Sequence, residues 1–171
     1  FQGRFWPRTH CVFDENGQGN CLTGDCGQGL KCNGGAGKPP ATLAEFNVDA
    51  GILFSRYDVS LVDGYNVPVV VSLVLTKVSV CISDINPVCP KVANNGNETI
   101  ACHSACDAFA DPKYCCTGSY ALPTACPPTK YSEIFKESCP GAYSYAYDDK
   151  SSLFTCRSAV DTVSSYTIMF C

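Results

Sequence analysis

Val67-Pro68-Val69-Val70-Val71-Ser72-Leu73-Val74-Leu75 is the longest apolar stretch in the chain, and its pattern decides what the rest can be. Val67, Val69, Val71, Leu73 and Leu75 recur every second residue and form one unbroken apolar face. The stretch falls well short of the ~18 apolar residues of a membrane span, and Pro68 and Ser72 interrupt it. Rich in β-branched residues, it predicts a strand in the core of a β-sandwich. Upstream of the Asp63-Gly64 turn signal, Thr42, Ala44, Phe46 and Val48 alternate with Leu43, Glu45, Asn47 and Asp49. That period of two predicts a second strand with one mostly polar face.

Outward from this core the character changes. Residues 10–40 are dense in glycine and cysteine, a loop region that buries little apolar surface and that Cys11, Cys21, Cys26 and Cys32 can staple twice. Residues 83–139 hold seven cysteines and six prolines, and read as a helix-and-loop lobe. Cys102 and Cys106 share a face if that stretch is helical, and Tyr131, Ile134 and Phe135 follow helical spacing. In the tail, Tyr143, Tyr145 and Tyr147 alternate, as do Tyr166, Ile168 and Phe170, which predicts strands that rejoin the sheet begun at residue 41. The organisation expected is a core from 1–9, 34–82 and 140–171, a small disulfide loop lobe at 10–33 and a disulfide-rich helical lobe at 83–139.

Fourteen cysteines in 171 residues is about 8%, a density that belongs to an oxidising compartment. Zinc sites usually show Cys-x2-Cys knuckles, which are absent, and only His10 and His103 are available as co-ligands. Disulfides are therefore favoured over metal. A net charge of −4 argues against nucleic acid and against electrostatic adhesion to anionic membranes. Asn97-Glu98-Thr99 is a candidate glycosylation sequon, expected on a surface loop.

Gly19-Asn20-Cys21-Leu22-Thr23-Gly24-Asp25-Cys26-Gly27 resembles the signature of the plant thaumatin-like, pathogenesis-related family. The resemblance continues through Lys38 to Phe46, Tyr57 to Pro68, Tyr114 to Gly118 and Cys139 to Tyr145, in order along essentially the whole chain. It implies a mainly β fold: an antiparallel sandwich core, a disulfide-rich helical lobe, a small looped lobe and an acidic cleft between core and helical lobe. It also implies the pairings Cys11–Cys21, Cys26–Cys32, Cys81–Cys139, Cys89–Cys102, Cys106–Cys115 and Cys116–Cys126. Cys156 and Cys171 are left over: the family partner of Cys156 is missing near Thr76, and that of Cys171 lies in N-terminal strands absent here. Our expectation is that the natural protein has such a stretch.

Family likeness places Arg4, Glu45, Asp58, Asp63 and Asp148 in the cleft. Residue physics is compatible: Glu45 lies on a polar strand face, and the Asp63-Gly64 turn can re-aim Asp63, which strand parity would otherwise set opposite Asp58. Glycoside hydrolysis uses two carboxyl groups flanking the scissile bond, and crowding favours one of them keeping its proton. On this reading Glu45 is the acid and Asp63 the base or nucleophile. Arg4 moderates repulsion, Asp58 and Asp148 hold sugar hydroxyls, and Tyr57, Tyr65 and Tyr143 offer stacking platforms. Outside the cleft, Asp25 reads as a turn cap, Trp6 as packing and Asp149 as surface charge.

The expected function is a secreted antifungal defence protein, apoplastic or vacuolar, binding β-1,3-glucan of fungal walls. Two alternatives are an endo-β-1,3-glucanase using Glu45 and Asp63, and an inhibitor of a microbial glycosidase. Allergenicity is a family trait that many staples would support. No metal or other cofactor, no nucleic acid and no membrane span is implied, and a monomer is expected.

Overall fold

The computed structural model describes residues 1–27, 29–48, 54–73, 78–157 and 165–171. The alternating segments become strands. β1 (Gln2–Phe5), β4 (Leu43–Val48), β5 (Phe54–Ser60) and β10 (Phe154–Arg157) form an antiparallel sheet in the order β1-β4-β5-β10. β11 (Tyr166–Phe170), β6 (Val69–Leu73) and β7 (Val78–Cys81) form a second antiparallel sheet in that order. The fold is mainly β, as the alternation requires.

Parity explains how the two sheets share one core. Ala44 and Phe46 of β4 and Tyr57 and Val59 of β5 point to the same face and meet Val69, Val71 and Cys81 of the second sheet in one buried cluster. Tyr166 crosses between the sheets, its ring edge-on to Phe46 at 5.3 Å and to Tyr57 at 5.2 Å. Burying rings of this size removes roughly 150–250 Å² of surface each from water, so they dominate the core's stabilisation. The opposite residues of β4 and β5, Glu45, Asn47, Arg56 and Asp58, are thereby turned away from the core.

Two smaller sheets are hairpins. β2 (Thr9–Phe13) pairs with β3 (Gly19–Thr23), and β8 (Val92–Asn95) with β9 (Glu98–Cys102). Among the described residues four short α-helices follow: α1 (Ala105–Phe109), α2 (Pro112–Cys115), α3 (Lys130–Ser138) and α4 (Asp149–Ser152). Thr129 caps α3 in a reciprocal arrangement with Ser132, satisfying amides that would otherwise be orphaned at the first turn. Ile134 and Phe135 lie on α3 as spaced, and Phe135 joins the core.

Several expectations need correction. Cys102 ends β9, so it shares no helix with Cys106, which lies in α1. Residues 143–147 run from an isolated bridge through bends to a turn, and among the described residues Tyr143 bridges only Ser60, in parallel, with no strand paired to this segment. The tail divides: β10 rejoins the sheet of β4, whereas β11 joins the other. Asp49, Leu75 and Thr76 lie outside the described residues.

Six disulfides are formed: Cys11–Cys21, Cys26–Cys32, Cys81–Cys139, Cys89–Cys102, Cys106–Cys115 and Cys116–Cys126. They are the six pairs that the resemblance implies. Cys156 and Cys171 are free thiols, the first on β10 and the second just past β11, in different sheets. Asn97 is exposed at the β8–β9 turn.

Candidate functional site

The polar face of the first sheet carries two cross-strand rungs. Arg4 of β1, Glu45 of β4 and Asp58 of β5 stand directly opposite one another in register. Two residues along, Gln2, Asn47 and Arg56 form the second rung. Opposite residues in antiparallel pairs have Cβ atoms roughly 4.5–5.5 Å apart, so charges on one rung interact strongly. Arg4 Nε meets Glu45 Oε1 at 2.6 Å, an ion pair that holds the Glu45 carboxylate in place.

Asp58, the third member of that rung, has no such partner. Its Oδ1 is sealed from solvent and makes no hydrogen bond. Burial, then the neighbouring Glu45 carboxylate, raise its pKa to about 7; Arg4 works against them, and Asp149 adds to the rise. Asp63 enters from the turn after β5. Gly64 has φ +93°, and a Cβ there would stand 2.7 Å from the Cys102 carbonyl oxygen, so this turn requires glycine. Burial raises the Asp63 pKa too, with Arg4 opposing and Asp107 of α1 contributing.

These side chains line one open cavity of about 460 Å³ with Asp149, Tyr143, Val62 and Leu153 on its other walls. Tyr143 donates its hydroxyl hydrogen bond to Asp149 Oδ1 at 3.1 Å. Burial and that carboxylate push the Tyr143 phenol well above its ordinary value. The lining thus brings four carboxyl groups, two guanidinium groups, two side-chain amides, the Ser60 hydroxyl and one phenol to one surface rich in hydrogen-bond donors and acceptors.

The profile of the Thaumatin family matches residues 1–171. The chain belongs to the thaumatin family. It is 50% identical over 178 residues to the pathogenesis-related thaumatin-like protein 3.5 of Cryptomeria japonica, covering 100% of this chain and 70% of that protein. It is 51% identical over 183 residues to thaumatin-like protein 1 of Arabidopsis thaliana, covering 100% and 68%. With pathogenesis-related protein 5 of the same plant it shares 51% over 179 residues, covering 100% and 71%. The chain therefore spans about 70% of the length of these relatives.

Within this thaumatin-family chain, Arg4, Glu45, Asp58 and Asp63 come together, but Asp148 does not join them. Its Oδ2 pairs with Lys136 Nζ at 2.6 Å and accepts from the Ser144 amide and hydroxyl, while Oδ1 accepts from Ser151. Burial opposes ionisation, yet Lys136, the Ser144 amide and the Ser151 hydroxyl hold its carboxyl below the ordinary carboxylate range. Its neighbour Asp149, read from sequence as surface charge, is the one that faces the cavity. Asp148 precedes α4 and is drawn towards Lys136 of α3, whereas Asp149 is the first residue of α4.

Tyr57 and Tyr65 are not stacking platforms. Each is 1% exposed and packed in the core, Tyr57 because it sits between Arg56 and Asp58 on the opposite strand face. Of the three tyrosines proposed from sequence, Tyr143 alone lines the cavity. Sequence reasoning missed Gln2, Asn47 and Arg56, although each lies two residues from an expected cleft residue and parity puts it on the same face. Asp25 lies elsewhere, accepting from the Cys21 and Gly27 amides beside Arg8 and Lys38, as a turn cap would. Trp6 packs against Gly37 and donates to the Gly24 carbonyl. Among the described residues no three His, Cys, Asp or Glu side chains converge to hold a metal ion, and no helix is long and apolar enough to cross a membrane.

Proposed function

We propose that the chain is a defence protein that binds β-1,3-glucan in its acidic cleft. The observation that carries this reading is the open cavity of about 460 Å³, lined by charged and hydrogen-bonding side chains, one of which, Asp58, has an oxygen without a partner. Such a volume lies within the range of roughly 300–1,000 Å³ typical of ligand pockets. Carboxylates accept from sugar hydroxyls, and Arg56, Asn47 and Gln2 donate to them. The six disulfides fit an oxidising compartment, apoplast or vacuole, and the exposed Asn97 is available for glycosylation there.

Hydrolysis is the second reading, and a specific observation favours it: adjacent carboxyl groups with opposed environments. Glu45 is ion-paired with Arg4, while Asp58, opposite it, is inclined to keep its proton near neutral pH. On this geometry the general acid is Asp58 rather than Glu45, and Asp63 or Glu45 supplies the base.

The test is incubation with insoluble and soluble β-1,3-glucan, following protein retained on the polymer and new reducing ends together. Retention is expected for the wild type, weakened about tenfold in Glu45→Gln and Asp58→Asn. New reducing ends that vanish in Asp58→Asn would establish the hydrolytic reading. Wild-type protein that passes through without retention or cleavage would sink both.

A further inference from the structure

The cleft does not end at Val62. That side chain also forms the near wall of a second, smaller depression under the helices, rimmed by Tyr114, Tyr131 and Tyr145. Tyr143 and Tyr145, two residues apart in the same loop, fall on the two sides of this saddle, one in each depression. The smaller one has about 20 Å³ of space, room for a group the size of a water or a hydroxymethyl and not for a whole ring.

Its chemistry differs from that of the cleft. Among the described residues no charged side chain lines it. Its floor holds the buried hydroxyls of Ser104, Ser132 and Ser144. Ser132 and Ser144 donate to the Thr129 carbonyl and to Asp148. Ser104 accepts from the Asp107 amide and donates to no described group, which leaves its proton available. The rim rings are not equivalent either. Lys113 lies over Tyr114 at 4.6 Å and Lys130 over Tyr131 at 5.1 Å, and these two rings pack edge-to-face against each other. Among the described residues Tyr145 has neither a cation nor another ring against it, and it is half-buried beside the saddle.

We infer that this uncharged dimple is an outer subsite for the same glucan chain, taking the sugar ring that emerges from the acidic cleft over Val62. The ring lies against Tyr145, and its exocyclic hydroxymethyl enters the dimple and accepts from Ser104. The inference rests on the cleft's being the glucan site, and adds to it a direction: the chain runs from the Arg56 end of the cleft towards the helices. A neutral hexose fits this chemistry, because an aromatic rim covers its C–H face and hydroxyl groups meet its O–H, with no charge to compensate.

The experiment is calorimetric binding of linear β-1,3-linked glucose oligomers, from disaccharide to octasaccharide, to the full chain. Affinity is expected to rise with length and then show a further step, about tenfold, once the oligomer is long enough to cross Val62. Tyr145→Ala, and separately Ala105→Leu, which fills the dimple from α1, remove that step and leave the short oligomers' affinity unchanged. Tyr145→Phe keeps it. Short oligomers that bind with no later step, or a step that survives both Tyr145→Ala and Ala105→Leu, overturn the subsite and leave the cleft reading standing. If oligomers of every length fail to bind, the cleft reading falls and the subsite with it.

Discussion

Asp58 and Asp148 are the same residue type in opposite circumstances, and the contrast shows how to tell a working carboxyl group from a structural one. Asp148 is 9% exposed and fully engaged: an ammonium group, an amide and two hydroxyls surround it. Lys136 Nζ also lies within 3.1 Å of the Pro140 and Ala142 carbonyls and the Ser151 and Ser152 hydroxyls, so its three N–H groups tie α3 to the 140–142 loop and to α4. Asp58 has a sealed oxygen with no partner, a carboxylate across the rung and an open cavity beside it. One carboxyl has its interactions made within the fold. The other leaves one oxygen sealed and unpartnered beside the cavity.

The largest expected effect breaks the satisfied side. Lys136→Met leaves a nearly buried carboxylate uncompensated, which costs about 3 kcal/mol, the lower end for such pairs because Lys136 is 27% exposed. At roughly 2–4 °C per kcal/mol for a domain of this size, thermal denaturation should show the Tm falling by about 10 °C. Asp148→Asn keeps the shape and removes the charge, and should cost about 2 kcal/mol in the same assay. Asp58→Asn should cost less than ~1 kcal/mol, since it removes a poorly solvated charge and no hydrogen bond to Oδ1. A loss for Asp58→Asn as large as that for Asp148→Asn would erase the distinction.

A separate effect lies in the pH dependence, where the two residues act with opposite sign. Asp58 binds its proton more tightly folded, at about 7 against an ordinary 3.8. Its contribution to stability is full below about pH 4 and is lost as pH rises towards 7. Asp148 is held below its ordinary value. Its contribution is full above pH 3.8 and is lost as pH falls through the lowered value. Denaturant midpoints measured across pH should therefore lose part of their decline between about pH 4 and 7 in Asp58→Asn, Asp63 retaining the rest, and lose part of the acid-side decline in Asp148→Asn.

Much of the fold was legible because strand parity and apolar faces report burial directly. Phe46 and Val71 were predictable as core from period two alone. The alternating tyrosines 143, 145 and 147 misled, because alternation without a partner strand leaves only a bridged loop. Parity also held information that was not used. If Asp58 faces the cleft, Tyr57 cannot, and Arg56 must. The choice between Asp148 and Asp149 was not legible, since it turns on Lys136, which reaches Asp148 from α3 and holds its carboxyl in a node with Ser144 and Ser151.

The most direct test of the contrast is a carboxyl-carbon NMR titration of Asp58 and Asp148, repeated with a saturating β-1,3-linked glucose oligomer. Our account predicts that Asp58 titrates near pH 7 and moves when the sugar binds, while Asp148 titrates below 3.8 and does not respond. An Asp58 carboxyl that titrates in the ordinary range and ignores the sugar would contradict it.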